Sequence, residues 1–529
     1  MLFALTYSRV KTLFIGIAAA VALVVMTSVH LDYQGFYYDE LHQAPTAFRY
    51  LGRHPKMFTA EFNDIPILNM TYRGAIKSHI YGIYLRYIGH RFSVYSWRLL
   101  GILFVATGLC IFSAVAARFL SPAAAALFAL LLLTDATVIV TTRHDWGPTA
   151  LGLALRLIFA ATWFSLDLGE ITARHYFLAG MVVGVAVFEK LVAVVLFGPL
   201  LVLLIGGGRL NRRLIAAACG GGFLGTFPIA YANYSSYRHG RGLVSLSDVA
   251  ARTSLGLRDF AQFLLHYLAL GRGEGAAAHV LGAPPQGAWP LVEAFVLLSA
   301  LVIVCIGARR HRHSNRSMTL AWKMAAAYLF VGILMYLLPH ETNFYHWIQG
   351  TPFQYAAVAL AWDGLQNSRR LQALVLAAVS VVVGGRIPNV IGIESALAKG
   401  TASIGFAPSF TRLGEFAAAK ANDAIFIAAD WGTGTQIYCL SNGDDNLVYE
   451  TFWADDPVRE ARAVTEAVPK NTLYVVRSHV SPQFDGAADS VLDWMSRSAD
   501  WREEPVEEEM RLVAPIEVRK FVRRSRNRS

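Results

Sequence analysis

The feature that most constrains this chain is a series of long apolar segments, too many for the interior of one soluble domain. A helix needs about 20 mostly apolar residues to cross a bilayer, and such segments recur from the N-terminus to the last third of the chain. The sequence therefore predicts a multi-pass α-helical membrane protein. Its eleven candidate spans are residues 12–30, 96–118, 121–141, 147–166, 176–189, 191–206, 213–233, 288–307, 317–338, 351–364 and 370–386.

Composition and charge divide the chain into two parts. Of its 529 residues, 55% are hydrophobic and only 16% are charged, whereas about 25% of residues are charged in an average soluble domain. Residues 386–529 hold 17 of the 47 Lys and Arg and 21 of the 37 Asp and Glu, which leaves a net charge of +14 to residues 1–385. We predict a transmembrane domain over 1–386 and a polar C-terminal domain over 387–529.

The basic residues fall on one side of the predicted membrane domain. Lys and Arg are retained on the cytoplasmic side of a bilayer, and with a cytoplasmic N-terminus every strongly basic short loop faces the cytoplasm. No cleavage pattern follows the first apolar run, so we interpret it as a retained signal anchor. The result is a cytoplasmic (inner) membrane protein with a periplasmic or extracytoplasmic C-terminal domain, and its basic charge requires no nucleic-acid partner. The basic loops lie at residues 118, 174, 209–213, 309–316 and 369–370.

The C-terminal part alternates strand and helix patterns, which predicts a small α/β domain. Its last β-rich stretch, 516–522, is expected to form an edge strand. The preceding elements are expected as helix 411–421, strand 424–429, helix 458–468, strand 472–476 and helix 488–498.

Polar and aromatic residues concentrate in the loops assigned to the outer face, at 31–95, 142–146, 234–287 and 339–350. Within the first loop, 76–90 has helical period but is too short and too polar to span, so we expect a helix lying at the membrane surface. Ionisable residues at the ends of spans are costly to bury and usually face a cavity or a partner. These loops therefore hold the candidate site.

Asp39 and Glu40 form an acidic pair shortly after the first span. Adjacent residues of a helix point about 100° apart, so only one of them is expected to face a shared cavity. A carboxylate there can act as a general base toward a hydroxyl group when its surroundings tune its pKa. The alternative role is a helix cap or a solvated acid.

Arg143, His144 and Asp145 lie between two apolar runs on the same face. The Arg143 guanidinium can bind phosphate, and Asp145 can bind a sugar hydroxyl or a metal ion. The alternative is an internal Arg–Asp ion pair that caps the helix beginning near Pro148, since proline suits the first turn of a helix.

Glu189 and Lys190 interrupt an otherwise continuous apolar stretch. Lys190 suits a phosphate group, with Glu189 keeping the ammonium charged; an internal ion pair is the alternative. Lys77 and His79 begin the surface helix and can point toward the same pocket.

His340 and His346 have loose metal-ligand spacing. Contact with phosphate or substrate and simple placement at the membrane interface remain open alternatives for both. The residues require no cofactor, and a divalent metal ion is the one cofactor left open.

The order of these motifs resembles that of the GT-C glycosyltransferases, particularly the bacterial lipid A aminoarabinose transferases and the protein O-mannosyltransferases. Residues 38–40, Tyr-Asp-Glu, match an aromatic-Asp-Glu motif of the first loop, and residues 143–145 match an Arg-x-Asp turn. Residues 76–81 occupy the place of a Lys- or His-Pro-Pro-Leu segment but lack its prolines. Residues 189–190 stand where the family has Thr-Lys, with Glu in place of Thr. The resemblance covers 10–210 by motif and the later spans by pattern only.

The resemblance implies that a sugar moves, with inversion, from a polyprenyl-phosphate donor in the bilayer to an acceptor hydroxyl entering from the outer side. It implies Asp39 as the base and Asp145 as the residue that positions acceptor or sugar. Arg143, Lys190 and Lys77 are implied as ligands of the donor phosphate. The expected partners are this donor, membrane lipids and an acceptor that is a glycolipid, a polysaccharide or a protein.

Other functions fit a chain with this many spans. A polytopic transporter or a lipid-linked-sugar flippase is the main alternative, but transporters often contain internal repeats and helices broken near mid-depth, and no repeat is visible here. A scaffold that only displays the C-terminal domain would leave Asp39, Arg143 and Lys190 without a common purpose.

Overall fold

The computed structural model describes the chain except for residues 1, 55–59, 168–171, 207–210, 241, 245–255, 285–289, 312–314, 341, 480–483, 485, 512–513 and 525–529. Helices dominate the described chain as far as Ala398, and a mixed α/β unit follows. The helices are α1 (Leu2–Ser28), α2 (Tyr38–Leu41), α3 (Ile76–Tyr84), α4 (Val94–Ala116), α5 (Pro122–Leu133), α6 (Ala136–Arg143), α7 (Thr149–Asp167), α8 (Ala173–Glu189), α9 (Phe197–Gly206), α10 (Arg212–Arg238), α11 (Leu257–Leu268), α12 (Glu274–Leu281), α13 (Pro290–His311), α14 (Arg316–Leu337), α15 (Phe344–Trp347), α16 (Thr351–Gly364), α17 (Arg369–Ala398), α18 (Ser409–Ala419), α19 (Gly434–Leu440), α20 (Pro457–Ala467) and α21 (Ala487–Arg497).

The predicted multi-pass membrane architecture is confirmed, and a helix forms at each predicted span. Seven helices of the described chain are long and apolar enough to cross a membrane by length and composition: α1, α4, α7, α10, α13, α14 and α17. The pair α5–α6, bent by 62°, is apolar enough to make an eighth when its two helices are counted as one span. The other three predicted spans are the shorter helices α8, α9 and α16. Phe14 and Phe295, both 70% exposed, are typical of side chains that face lipid.

The last span is longer than predicted. α17 continues to Ala398, so the predicted domain boundary after residue 386 falls within a continuous helix. Arg386 is nevertheless buried, because its guanidinium donates to Glu293 at 2.6 and 2.8 Å and to the Tyr355 hydroxyl at 2.7 Å. In the sequence, the charge of Arg386 indicates the end of a span. In the structure, the ion pair with Glu293 neutralises this charge.

The helices α8 and α10 pack backbone to backbone. Gly180 and Gly184 of α8 face Gly221 and Gly225 of α10, and a Cβ added at any of them would collide with the main chain of the other helix. Small residues at four-residue spacing allow this close approach inside a membrane. The packing fixes the C-terminal end of α8, where two candidate site residues lie.

The first outer loop is more ordered than the sequence indicates. It contains the short helix α2, the expected surface helix α3, and between them an antiparallel sheet in the order β1-β2-β3. The strands, which the sequence analysis does not predict, are β1 (Ala60–Phe62), β2 (Ile65–Met70) and β3 (Arg73–Gly74).

The predicted C-terminal α/β region is confirmed. Its five-stranded sheet has the order β5-β4-β6-β8-β7, with β4 parallel to β5 and β6, and with β8 antiparallel to β6 and β7. The prediction that 516–522 is an edge strand is wrong, because the short strand β7, rich in charge, pairs with its outer side and takes the edge. The strands are β4 (Ala424–Ala428), β5 (Val448–Glu450), β6 (Thr472–Ser478), β7 (Trp501–Glu504) and β8 (Ile516–Arg523).

The C-terminal sheet and the first outer loop share one apolar core. Phe36 and Phe48 of the loop belong to the same buried cluster as Phe426 of β4 and Tyr438 of α19, and the Phe48 and Tyr438 rings meet edge to face with centroids 5.4 Å apart. Burial of large aromatic side chains contributes about 1.5–3 kcal/mol each. The C-terminal unit therefore packs directly on the loop that carries the acidic pair.

Candidate active site

The acidic pair lies at the start of one helical turn. Tyr37 is extended and α2 begins at Tyr38, which places the two following side chains on different sides of the turn. The Asp39 side chain is 25% exposed, whereas Glu40 is fully buried. Asp39 is therefore the acid that a ligand can reach.

Arg73, from β3, holds Asp39. Its Nη2 lies 3.4 Å from the Asp39 Oδ2, and its Nη1 donates to the Asp39 carbonyl oxygen at 3.2 Å. Burial acts to raise the pKa of Asp39, but the positive charges of Arg73, His42 and Lys190 outweigh it and lower that pKa below its usual value. Asp39 is thus ionised at neutral pH.

Glu40 has a different partner. Arg98 of α4 donates to both carboxylate oxygens, at 3.0 and 3.1 Å, and neither side chain is exposed. The same guanidinium donates to the main-chain carbonyls of Leu31, Gln34 and Gly35. This paired and fully bonded arrangement holds the loop against α4 and leaves Glu40 no route to a substrate.

Lys190 lies directly beside Arg73. The two residues form an isolated antiparallel bridge, and Gly147, at φ +81°, lets the Arg73 guanidinium pack against its backbone. The Lys190 ammonium donates to the Gly147 carbonyl at 2.8 Å and lies 4.8 Å from the centre of the Tyr345 ring. In the part of the chain that the structure describes, no carboxylate lies within ion-pair distance of Lys190.

Lys77 and Asp145 form a closed ion pair. Their Nζ and Oδ2 atoms are 2.8 Å apart, and both side chains are 1% exposed. The Oδ1 atom of Asp145 accepts from the Ala150 amide at 2.8 Å, so Asp145 also caps α7. The predicted alternative, a capping ion pair, is seen here with Lys77 as the partner in place of Arg143. We refer to Asp39, Arg73, Lys77, Asp145 and Lys190 as the Asp39 cluster.

Arg143 lies outside this cluster. Its Nη2 donates to the carbonyl of His30 at 2.6 Å, and its Nη1 is 3.8 Å from the carboxylate of Glu394 in α17. The guanidinium therefore ties the end of α6 to α1 and α17. These contacts direct the Arg143 guanidinium away from Asp39 and toward α1 and α17.

Glu189 does not pair with its neighbour Lys190. Its Oε2 accepts from the Ile76 amide at 3.3 Å, at the first turn of α3. The expected ion pair between the two adjacent residues is absent, because Glu189 ends α8 while Lys190 is extended and turns toward Gly147. Glu189 therefore orients the surface helix.

The candidate histidines do not gather at the cluster as metal ligands. His79 lies between the Tyr50 hydroxyl (3.2 Å) and the Pro66 carbonyl (2.8 Å). His346 accepts from the Asn343 amide at 3.1 Å, and its ring centroid is 6.3 Å from that of His340. Among the described residues there is no group of three or more His, Cys, Asp or Glu that could hold a metal ion.

Comparisons with known proteins agree with this architecture. No protein-family model matches the sequence, and no curated protein sequence matches it. The chain is similar to the crystal structure of ArnT from Cupriavidus metallidurans in the apo state, with 13% identity, a TM-score of 0.61, and coverage of 95% of this chain and 96% of that chain. The chain shares the fold of this ArnT. The structure of the same ArnT bound to undecaprenyl phosphate gives 13% identity, a TM-score of 0.60, and coverage of 96% and 97%.

Two basic residues of the membrane domain, Arg73 and Arg156, are missed by the sequence analysis. Nothing in the sequence around Arg73 marks it as a site residue. It reaches Asp39 only because it pairs with Lys190, which is far along the chain. The sequence does mark Arg156, since an ionisable residue within an apolar span indicates a functional site. It is 1% exposed, its Nε and Nη1 have no hydrogen-bond partner in the described chain, and its charge repels that of Lys190.

The C-terminal domain contacts the acidic motif itself. The Tyr38 hydroxyl donates to Glu450 of β5 at 3.2 Å, and the Trp453 indole donates to the same carboxylate at 2.9 Å. Trp431 packs against Tyr38 with ring centroids 4.5 Å apart. The residue that precedes Asp39 is therefore held by Glu450 and Trp431 of the C-terminal domain, and Trp453 in turn holds Glu450.

Glu450 makes this contact dependent on pH. Burial raises the pKa of Glu450 from 4.5 to about 7, although the hydrogen bonds from Trp453 and Tyr38 act in the opposite direction. The folded state thus keeps a proton that the unfolded state releases, and stability falls as pH rises from 4.5 to 7. Glutamine imitates the protonated form, so we expect Glu450→Gln to gain thermal stability relative to the wild type across this range.

Thermal unfolding of the purified protein between pH 4.5 and 8 measures the effect. The difference in melting temperature between Glu450→Gln and the wild type is expected to grow up to about pH 7 and then to stay constant. Glu460→Gln, on the exposed face of α20, is the control for removing one carboxylate from this domain. A difference independent of pH would contradict the assignment.

Proposed function

We propose that the protein is an inverting glycosyltransferase that moves a sugar from a polyprenyl-phosphate donor to an acceptor hydroxyl at the outer face of the cytoplasmic membrane. One observation carries the proposal: the partly exposed carboxylate of Asp39 lies near Lys190, Lys190 lies near Arg156, and neither of these buried cations has a carboxylate partner in the described chain. Unpaired charges in a membrane domain are costly, and an anionic ligand would offset that cost.

The charge count matches the proposed donor. Within the Asp39 cluster, Arg73 is balanced by Asp39 and Lys77 by Asp145. Lys190 of the cluster, and Arg156 of α7, whose charge acts on Lys190, have no carboxylate partner in the described chain. A sugar–phosphate–lipid diester carries one negative charge, and the lipid phosphate that leaves carries up to two. Fixed cations therefore stabilise the charge that develops as the bond to the sugar breaks, and they do so without reorganisation in a poorly hydrated site.

Asp39 is suited to the role of base. In one displacement the acceptor oxygen attacks the anomeric carbon, the bond from this carbon to the phosphate oxygen breaks, and Asp39 takes the acceptor proton. The lipid phosphate leaves with the bonding electron pair, and the anomeric configuration inverts. Arg73 holds Asp39 through its carboxylate and its main-chain carbonyl, and Asp145, held by Lys77, positions the acceptor or the sugar.

Two further observations support the donor and the topology. A protein of the same fold, ArnT, has been crystallised with undecaprenyl phosphate, which is a lipid of the proposed class. The distribution of basic loops supports a cytoplasmic N-terminus, and this topology puts the Asp39 cluster and the C-terminal domain outside. The two parts of the chain then act together, with the catalytic groups in the membrane domain and the C-terminal domain holding Tyr38.

Turnover in detergent tests the proposal and separates it from a transporter or a flippase. The purified protein is incubated with polyprenyl-phosphate sugars and acceptor extracted from membranes of the producing cell. We expect mass spectrometry to detect free polyprenyl phosphate and glycosylated acceptor, with no sealed vesicle or ion gradient present. Movement of the lipid-linked sugar across sealed vesicles, without product in detergent, would contradict the proposal and support transport.

A further inference from the structure

A cavity lies beside the acidic motif. Its volume is about 590 Å³, within the range of about 300–1,000 Å³ that is usual for small-molecule sites. Four parts of the chain line it: the first loop at Tyr37, the end of α12, the link between α17 and α18, and the turn after β4. It is formed where the membrane domain meets the C-terminal domain.

The cavity is adjacent to the proposed base. Tyr37, two residues before Asp39, lines it, and so does His279 of α12. The His279 and Tyr37 ring centroids are 5.0 Å apart, and the Asp39 charge acts on the His279 ring. A ligand in this cavity therefore lies close to the segment that carries Asp39.

Hydrogen bonds between its walls hold the cavity open. The Ser403 amide donates to the Val280 carbonyl at 2.7 Å, and the Ser403 hydroxyl donates to the His279 carbonyl at 2.6 Å. On the other side, the Gly35 amide donates to the Phe406 carbonyl at 2.8 Å. These contacts tie the link to α12 and to the first loop, so the site is formed before a ligand arrives.

The lining is aromatic and polar but uncharged. Tyr37, Phe406 and Trp431 contribute rings, while Ser403 and the exposed backbone of Gly405 contribute polar groups. None of the described residues that line the cavity is Asp, Glu, Lys or Arg. Burial lowers the pKa of His279, although Asp39 acts in the opposite direction, so this ring is also neutral at neutral pH.

We infer that this cavity binds an uncharged saccharide, the part of the acceptor that carries the reacting hydroxyl. Aromatic rings supply apolar faces for the C–H groups of a sugar, and hydroxyl and backbone groups supply partners for its hydroxyls. A phosphate or a charged peptide would find no counterion, and a lipid chain would leave the polar groups without partners. The inference rests on the proposed function and narrows its acceptor to a neutral region of a glycolipid or a polysaccharide.

Binding by purified protein in lipid nanodiscs tests the site without any turnover. Isothermal titration calorimetry is carried out with maltotriose and chitotriose as neutral saccharides, glucose 1-phosphate as a charged sugar, and trialanine as a peptide. We expect millimolar affinity for at least one neutral trisaccharide. In Trp431→Ala, which removes a ring, and in Ile404→Trp, which fills the cavity from an exposed position, the affinity is expected to fall at least about tenfold.

Ile88→Trp, which alters an exposed residue of the first loop outside the cavity lining, is expected to bind as the wild type does. Absence of binding by both trisaccharides, or equal binding in the two cavity variants, would overturn the inference. Equal affinity for glucose 1-phosphate would also overturn it, and preference for trialanine would assign the cavity to a protein acceptor.

Trisaccharide binding without release of polyprenyl phosphate in detergent would retain the site and reject the proposed function. Turnover without trisaccharide binding would reject the site alone.

Discussion

Asp39→Asn is expected to lower the rate of sugar transfer by about 10²- to 10⁴-fold, the usual contribution of a general base. Asparagine keeps the shape of aspartate and can accept a hydrogen bond from Arg73, but it cannot take the acceptor proton. The substitution also leaves Arg73 without its carboxylate partner. Binding of polyprenyl monophosphate is therefore expected to be unchanged or tighter. Initial rates at saturating donor, together with the Kd for polyprenyl monophosphate, measure both effects.

The opposite responses of rate and binding distinguish catalysis from a structural role. If Asp39 only maintained the loop, its loss would weaken lipid-phosphate binding and thermal stability along with turnover. Asp32→Asn is the matched control, because it replaces an acid by the same amide in the exposed part of the same loop. Wild-type turnover in Asp39→Asn would exclude this residue as the base.

Residues whose position depends on local pattern could be predicted from the sequence. The spans follow from runs of apolar residues, and the surface helix α3 and three helices of the C-terminal region, α18, α20 and α21, follow from their periodicity. Asp39 and Lys190 stand out because a charged residue next to a span requires a partner or a ligand. Their convergence on one cluster was inferred from shared topology, and the contacts of Arg73 join them.

Residues whose role depends on distant partners could not be predicted. Arg143 and Lys77 look equally suited to phosphate in the sequence, but only the folded chain brings His30 and Glu394 to Arg143 and Asp145 to Lys77. The aromatic core shared by the first loop and the C-terminal sheet is likewise non-local. For the same reason the sequence gives no indication that Glu450 or Trp431 contacts the acidic motif.

Replacing a buried cation that has no carboxylate partner in the described chain, Lys190 or Arg156, is expected to separate stability from ligand binding. When no ligand is bound, Lys190 is a buried charge without a carboxylate partner in the described chain, and such a charge is costly. We expect Lys190→Met to leave the melting temperature of the ligand-free protein unchanged or higher. Its affinity for polyprenyl monophosphate is expected to fall roughly tenfold to a hundredfold, because a hydrogen bond to a charged group contributes about 1.5–3 kcal/mol.

Arg156→Met is expected to show the same combination of retained stability and weakened binding, since its Nε and Nη1 have no partner in the described chain. The measurement is the melting temperature with and without polyprenyl monophosphate, compared with inorganic phosphate. Lys399→Met, at the exposed end of α17, is the control for loss of one positive charge on the outer side. A Lys190 variant that is less stable without ligand and equally stabilised by the lipid phosphate would show that Lys190 is a structural cation, and the donor site would then have to lie elsewhere.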